Sequence, residues 1–424
     1  MTLGSYWHLI RDNRNFRRLW LAQIVSEMGD WFYILAIYSL LLQFTGRAQS
    51  VALALVLQVL PSTLVGPTAG VVNDRIRRQS VMIAADLARA VIVLGMMLVR
   101  SREAVWVVYP LLFLETVMWG FFEPARAAVL PNLVDEKDLV TANTVSSMTW
   151  SFNFAVSSAI GGLVTVALGR DAVFVLNALS FLCSAFLLQG MRVHEPHATG
   201  TAPFHLWELV NFSPMIEGIR YMRSDARLLA TVLVKGGIGI MGANWVIFPI
   251  LGERVFPIRP GGIDAARGAV LGMSLLMGAR GLGALIGPLC MGKWAGSGGA
   301  RMRSGILAGF VAGAAGYMLL SRAPSLALAC ATVALAHGGG SIVWVFSTTL
   351  LQRVSEDRFR GRLFAADLGF FMLMVAVSGY LAGLAVDAGI GVRTVALVTG
   401  FAMLAPALTW LWAMGLWKGA GSSS

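Results

Sequence analysis

Acidic side chains in apolar surroundings are the residues of this sequence best suited to chemistry. Glu27 and Asp30 lie three residues apart in the stretch LAQIVSEMGDWFYIL, so a helix places both carboxylates on one face. Two carboxylates this close in a low dielectric oppose each other's ionisation, and we expect one of them to hold a proton near neutral pH. The pair is a candidate proton carrier. The alternative is a helix-packing pair that is hydrogen-bonded to Ser or Asn neighbours.

Further charged residues of the first half also lie in apolar stretches. Asp86 and Arg89 are three residues apart and have opposite charges, which predicts a structural ion pair. Glu115, in LLFLETVMWGFF, has no charged neighbour in sequence, so it is either protonated or paired across helices with Arg89 or Lys235. Because an ionisable group at the centre of a bilayer costs ~2.5–3.5 kcal/mol, Glu115 is a coupling candidate beside Asp30.

The second half has two cations within apolar stretches, Lys235 and Arg280. Lys235 precedes Gly236 and Gly237, which permit local unwinding or tight packing. It either binds an anionic substrate or pairs with one of the two acids in span 1, and both interpretations stay open. Arg280 lies in MGARGLGALIG, a glycine spacing typical of closely packed membrane helices.

Two similar stretches, MGDW at 28–31 and MGANW at 241–245, indicate aromatic side chains that line a cavity for a lipophilic substrate. The predicted cavity residues are Trp31, Lys235, Asn244, Trp245 and Arg280.

The composition defines the elements that must position these residues. The chain is 57% hydrophobic and 13% charged, whereas a soluble domain has about 25% charged residues. A membrane-spanning helix needs ~20 mostly apolar residues. Twelve such stretches are predicted, near 17–43, 50–73, 80–100, 105–125, 142–168, 171–190, 227–251, 267–292, 303–321, 325–350, 363–387 and 393–417.

The net charge of +11 alone would suggest a nucleic-acid partner, but the distribution of the charges argues against one. With the N-terminus inside and alternating spans, 21 of the 33 Lys and Arg residues fall inside, nine fall outside and three lie within spans. This is the positive-inside bias of membrane proteins. We therefore expect a multi-pass protein of the bacterial cytoplasmic membrane, with both termini cytoplasmic and with lipids, not nucleic acid, around it.

The chain is predicted to divide into two six-span bundles, 1–190 and 227–424, joined by a cytoplasmic linker at 191–226. The linker region includes an amphipathic stretch, PMIEGIRYMRSDARLL, which predicts a helix on the membrane surface. Short stretches of the two halves echo each other at offsets of 214 to 220 residues, which indicates a duplication. Parallel repeats of six helices suit a transporter with a midplane cavity.

The stretch GVVNDRIRRQS, residues 70–80, concentrates charge between spans 2 and 3. Gly70 is expected to allow close approach of two helices. Asp74 is acidic where the bias favours basic residues, so it is expected to have a partner, for which the helix N-terminus near 362–365 is a candidate. The alternative is a topology determinant alone. The predicted cytoplasmic latch comprises Gly70, Asp74, Arg75, Arg78, Glu123 and Arg126.

The spacing Gly70-xxx-Asp74-Arg75-xx-Arg78 resembles the loop 2–3 signature of the major facilitator superfamily. The stretches RNFRRLWLAQIVSEMGDW, DLARA, FFEPARAAVLPNLVDEKDLVTANTVSS, EGIRYMRSDARL and RGRLFAADLGF resemble its drug:proton antiporter branch, with macrolide-efflux proteins and the enterobactin exporter. The chain departs from the pattern at Arg77, where many members have Gly, and at Met291, where the second copy lacks the acid. The resemblance implies an all-α fold of twelve helices in two six-helix bundles, a monomer, and an acid of span 1 in coupling.

Other motifs narrow the function. No G-x-x-x-x-G-K-[ST] nucleotide motif occurs, and no H-E-x-x-H motif or C-x-x-C pair indicates a metal site. We predict no enzyme activity, cofactor or metal, and we expect Asp367 and Asp387 to be interfacial and His337 to pack between helices.

The leading hypothesis is a proton-coupled exporter of lipophilic or amphipathic small molecules that works by alternating access. Its coupling residues would be Asp30, Glu27 and Glu115. The alternatives are a transporter of a lipid-like or siderophore-like anion, and a non-transporting membrane receptor or intramembrane enzyme.

Overall fold

The described part of the chain is helical, with turns and short 3-10 segments between the helices. The computed structural model describes residues 3–135, 138–193, 195, 216, 220–223, 225–258, 265–295, 298–354 and 357–417. Within these ranges a few side chains, including those of Asp74 and Arg362, lie outside the description. Most of the predicted surface helix of the linker also lies outside it.

Fifteen α-helices occur in these ranges. They are α1 (Leu3–Asp12), α2 (Arg14–Thr45), α3 (Ala48–Arg75), α4 (Arg78–Gly95), α5 (Val108–Val129), α6 (Leu139–Leu168), α7 (Arg170–Gln189), α8 (Ala226–Gly239), α9 (Asn244–Arg254), α10 (Ala265–Ala295), α11 (Gly299–Arg322), α12 (Leu326–Val354), α13 (Asp357–Asp387), α14 (Val392–Ala402) and α15 (Leu404–Ala413).

Twelve stretches in the described ranges are long and apolar enough to cross a membrane, which confirms the predicted number of spans. Large apolar side chains are exposed along them, for example Phe186 at 74%, Val91 at 71% and Trp412 at 79%. Contact of such continuous apolar surfaces with water is unfavourable, whereas contact with lipid chains is favourable. The spans therefore expose to lipid the side chains that a soluble protein would bury.

Glycine and proline set several helix ends. Gly46 and Gly169 have positive φ values of 64° and 82°, and they form the turns after α2 and α6. Proline removes the hydrogen bond to the carbonyl four residues earlier, so Pro406 explains why α14 ends at Ala402. Span 7 is also interrupted, because a 3-10 segment at Ile240–Ala243 separates α8 from α9.

The chain divides into two compact units, whose bounds differ from the predicted ones at residues 46–59 and within the predicted linker. The first unit comprises Met1–Thr45 with Leu60–Asn211, and the second comprises Gly46–Val59 with Phe212–Ser424. Residues 46–59, which include the first part of α3, were predicted in the first bundle and group with the second unit instead.

The contacts of Asp387 explain this grouping. Asp387 ends α13, and its two carboxylate oxygens accept hydrogen bonds from the backbone N–H groups of Ala48 and Gln49, each at 2.8 Å. The side chain of Gln49 also donates to the hydroxyl of Tyr380 at 3.2 Å. The carboxylate satisfies free N–H groups at the start of α3 and meets the positive end of the helix dipole. Asp387, which was expected to be interfacial, thus also caps a helix.

Glycines in the second unit bring α10 and α12 into backbone contact. A Cβ atom built on Gly283 would lie 2.1 Å from the carbonyl oxygen of Ala334, and one on Gly287 would lie 2.3 Å from that of Gly338. The glycine spacing that follows Arg280 therefore packs closely in the structure, as membrane helices with small interface residues do.

We predict that Gly283→Ala destabilises the protein by about 1–3 kcal/mol, because backbone atoms of α12 cannot move aside. The measurement is thermal unfolding of the purified protein in detergent. Gly292→Ala on the same helix is the matched control, because a Cβ atom there meets no heavy atom within 4 Å among the residues described. Equal melting temperatures of the two variants would contradict the packing argument.

We predict that Asp387→Ala destabilises the protein by about 1 kcal/mol, whereas Asp387→Asn, which keeps an acceptor oxygen, retains most of that stability. Thermal unfolding at neutral pH measures both variants. A wild-type melting temperature for Asp387→Ala would show that the cap of α3 contributes nothing.

Candidate functional site

A buried arginine with three carboxylates forms the strongest candidate site, in the first unit. Arg89 on α4 is 2% exposed. Its Nε donates to Glu115 of α5 at 2.9 Å, and one of its terminal nitrogens donates to Asp30 of α2 at 2.7 Å. Asp86, one turn earlier on α4, lies 3.6 Å from the other terminal nitrogen. We call these four residues the Arg89 cluster.

The ring of Phe181 on α7 covers the guanidinium group of Arg89, with 4.0 Å between the guanidinium carbon and the ring centroid. A cation over an aromatic face is attracted by the ring and is shielded from other solvation. The cluster therefore lies in a low dielectric, where the interactions among its charges are strong.

The charges of the Arg89 cluster do not balance if all of its acids are ionised. One guanidinium group neutralises one carboxylate, and two would remain. Asp86 is fully buried, and its polar neighbours among the described residues are Arg89, at 3.6 Å, and the hydroxyl of Ser184. Burying an ionised carboxylate with so few partners is strongly unfavourable. The arrangement therefore favours protons on part of the cluster.

The acids of the cluster differ in how far they are buried. The side chain of Asp30 is 22% exposed, that of Glu115 is 11% exposed and that of Asp86 is fully buried. Asp30 is thus the least buried acid of the cluster. The predicted ion pair of Asp86 and Arg89 is present, with 3.6 Å between the two groups. The direct hydrogen bonds of Arg89 go to the other two acids.

Glu27 has a separate set of partners, although it lies one turn from Asp30. Its carboxylate accepts hydrogen bonds from Gln23 at 2.8 Å and from Asn153 of α6 at 3.0 Å. The spacing predicted two carboxylates that oppose each other, but the structure gives each its own stabilising contacts. The hydrogen bond from Asn153 corresponds to the helix-packing alternative for Glu27.

Glu123 and Arg126, both predicted latch residues, contact this second network. Arg126 is paired with Glu123 one turn earlier on α5 and donates to the side-chain oxygen of Gln23 at 3.3 Å. Gln23 in turn donates to Glu27. The pair is therefore linked through Gln23 to span 1.

The remaining latch residues are described only in part. The side chain of Asp74 lies outside the described residues. A Cβ atom on Gly70 would meet no heavy atom within 4 Å in the part of the chain described, so the expected close helix approach at Gly70 is absent there. Arg75 ends α3. The Arg78 side chain donates to the carbonyl oxygen of Ala128 at 2.8 Å.

Sequence reasoning missed Glu195, which is 7% exposed and accepts the backbone N–H of Arg78 at 2.9 Å. It also lies 3.6 Å from Arg77. The only sequence signal for this role was an acidic residue shortly after span 6, in a segment that was predicted to be a solvated linker.

The second unit has its own buried ion pair. Lys235 of α8 is 3% exposed, and its ammonium group is paired with Asp367 of α13, which is 1% exposed. The expectation that Asp367 is interfacial is therefore corrected. The ammonium group also lies 4.5 Å from the ring centroid of Trp344 and 5.4 Å from that of Phe364.

The other predicted cavity residues are in varied settings. Arg280 lies over the ring of Trp245, with 4.3 Å to its centroid, so these two candidates are in contact. Trp31 packs edge-on against Phe154, with 4.4 Å between centroids. Asn244 is 2% exposed and its amide donates to the carbonyl oxygen of Met241, so its side chain stabilises the 3-10 segment of span 7.

His337 is buried and packs between helices. Its Nε2 lies 3.2 Å from the hydroxyl of Tyr317, and its ring contacts that of Phe248 edge-on. Across the residues that the structure describes, no group of three or more His, Cys, Asp or Glu residues is arranged to hold a metal ion.

Comparisons with known proteins identify the family to which this chain belongs. A family model described as transmembrane secretion effector matches residues 5–418. The MFS-type transporter YfiS of Bacillus subtilis is 29% identical over 181 residues, which are 42% of this chain and 43% of that protein. Macrolide efflux protein A of Streptococcus pyogenes is 29% identical over 281 residues, 65% of this chain and 66% of that protein. The matches thus span less than two thirds of either relative.

Solved structures agree on the fold. The nucleoside transporter NupG superposes with a TM-score of 0.71 at 13% identity, over 94% of this chain and 98% of that one. At this identity the likeness concerns the fold alone.

We predict that Arg89→Met destabilises the protein by about 3–5 kcal/mol, because it leaves buried acids without a cation. The double variant Arg89→Met/Glu115→Gln should lose less than the two single variants together. Thermal or denaturant unfolding in detergent at neutral pH measures this coupling.

The matched control is Arg100→Met, which removes an exposed ion pair with Asp171 and should cost less than about 1 kcal/mol. If Arg89→Met is as mild as Arg100→Met, or if the two cluster substitutions are additive, Arg89 does not stabilise the acids as described.

Proposed function

Because the chain belongs to the transmembrane secretion effector family of the major facilitator superfamily, we propose that it is a proton-coupled exporter of lipophilic or amphipathic small molecules. It spans the bacterial cytoplasmic membrane with both termini inside, acts as a monomer and works by alternating access. Family membership places it among membrane transporters rather than enzymes.

The observation that carries proton coupling is the Arg89 cluster, with three carboxylates around one buried guanidinium group. Without its proton, Asp30 is held on Arg89 and fixes α2 to α4. Protonation of Asp30 removes that charge, and Arg89 keeps Glu115 as its counter-ion. The contact between α2 and α4 then weakens. Proton binding thereby biases an equilibrium between two helix arrangements, as a coupling ion must.

The class of substrate is supported by two observations. One relative is macrolide efflux protein A, whose name describes the export of macrolides by that protein. In this chain, Trp31, Phe154 and Trp150 form an aromatic cluster next to Asp30 on span 1, in which the rings of Trp150 and Phe154 are stacked with 5.9 Å between centroids. Aromatic faces bind apolar groups without strict specificity. An anion carrier has less support, because the ammonium group of Lys235 already has Asp367 as its counter-ion.

We predict that Asp30→Asn and Glu115→Gln each lower uphill transport at least tenfold in proteoliposomes with an imposed pH gradient. Each variant should still exchange the same compound across the membrane when no uphill transport is required, because exchange needs no net proton movement. The transport probes are a radiolabelled macrolide and a lipophilic dye. Asp171→Asn is the matched control, because Asp171 is also paired with an arginine but is 46% exposed.

Normal uphill transport by both variants would show that the cluster does not couple protons. A wild-type protein that moves no probe, with or without a gradient, would contradict the export function itself.

A further inference from the structure

The buried ammonium group of Lys235 lies in surroundings that suit a cationic ligand. Two aromatic rings, those of Trp344 and Phe364, and one carboxylate, that of Asp367, surround it. Rings that present their faces and a carboxylate are the groups that proteins use to bind ligand cations. We call Trp344, Phe364 and Asp367 the cation box.

The walls of the cation box are fixed. The ring of Phe371 packs edge-on against that of Trp344, with 5.0 Å between centroids. The backbone of α8 lies directly against α13, because a Cβ atom on Gly236 would lie 2.0 Å from the ring of Phe370. Phe364 and Asp367 are both on α13, three residues apart and thus on one face.

The side chain of Lys235, which occupies the cation box, is more flexible than the residues that form the box. Lys235 reaches the box through a flexible four-carbon chain, whereas the walls are two rings and a short carboxylate side chain. One oxygen of Asp367 accepts from Lys235, and the other, although buried, has no hydrogen-bond partner in the structure. The carboxylate therefore has an unused acceptor for a second donor, or for an ammonium group with a different placement.

We propose that the cation box binds the ammonium group of a cationic amphipathic substrate, and that Lys235 is a tethered occupant which this substrate displaces. The inference rests on the proposed function as an exporter, and it narrows the substrate class to lipophilic amines in their protonated form.

The same geometry argues against an anionic ligand at Lys235. An anion would have to replace the carboxylate of Asp367, which is fixed on α13, and it would face the electron-rich surfaces of two rings. A cation needs only the flexible side chain of Lys235 to move out, and it then gains the attractions that the lysine loses. Exchange of one ammonium group for another also leaves the buried charge of the box unchanged, so Asp367 has a counter-ion both before and after the exchange.

A tethered occupant lowers the apparent affinity for a free ligand. The ligand binds only in the fraction of molecules in which the box is empty, so its dissociation constant rises by the inverse of that fraction. Removal of the lysine ammonium group should therefore strengthen binding of a cation, although it removes a side chain from the site. A site that used Lys235 to bind substrate would respond in the opposite direction.

The test uses dansylcadaverine, a primary ammonium on a five-carbon chain with a lipophilic fluorophore. Its binding to the purified full-length chain in detergent is followed by fluorescence anisotropy at neutral pH. We expect Lys235→Met to bind about tenfold more tightly than wild type. We expect Asp367→Asn and Trp344→Leu to bind at least tenfold more weakly. The matched neutral probe, N-acetyl dansylcadaverine, should bind weakly and equally to all four proteins.

Unchanged or weaker binding of dansylcadaverine to Lys235→Met, with a cooperative melting transition retained, would overturn the proposal. So would tight binding of the anionic analogue dansyl-6-aminohexanoate to wild type with loss in Lys235→Met, which would assign the site to anions. If Lys235→Met does not fold, the affinities of Trp344→Leu and Phe364→Leu for dansylcadaverine test the proposal instead, because both variants keep the buried ion pair. Wild-type affinity in these two variants would overturn the proposal.

The experiment separates this inference from the proposed function. Binding in detergent requires no gradient, so a protein that binds the ammonium probe as expected but transports nothing would refute export and leave the cation box standing. A protein that exports its probes under a pH gradient, with box variants that bind as wild type does, would refute the box alone.

Discussion

A buried guanidinium group that must serve more carboxylates than it can neutralise is the constraint on which the rest of this structure depends. In water, three acids and one arginine would each be solvated separately. Inside a bilayer the cost of each unpaired charge rises steeply, so Asp30, Asp86 and Glu115 depend on Arg89 as their shared counter-ion. Because these residues come from α2, α4 and α5, the protonation state of the cluster is linked to how three spans pack.

The buried charges of the second unit are balanced in a different way. Lys235 and Asp367 balance each other, and aromatic rings replace the missing water around the ammonium group. This site has no surplus charge, so it has less reason to bind or release protons. Under the proposals made above, these two buried charged sites have two tasks, with proton binding in the first unit and cation recognition in the second.

The sequence predicted the spans well but only some of the side-chain partners, for physical reasons. Backbone groups in lipid must be satisfied within a helix, so an apolar stretch of sufficient length is almost certain to be helical. Partners across helices depend on helix rotation and packing, which local patterns do not encode. Arg89, 26 residues away, was one of the two partners predicted for Glu115, but Asp367, 132 residues away, was not among the partners predicted for Lys235. Even Glu27 and Asp30, on one face of α2, have partners on different helices.

The central claim is that acids of the Arg89 cluster hold protons at neutral pH, and infrared spectroscopy of the purified protein tests it most directly. The wild type is expected to show an absorption band of protonated carboxyl groups, shifted by hydrogen–deuterium exchange and reduced in Asp86→Asn and Asp30→Asn, but not in Asp171→Asn. A spectrum without such a band at neutral pH, or a band of equal strength in all four proteins, would contradict this claim.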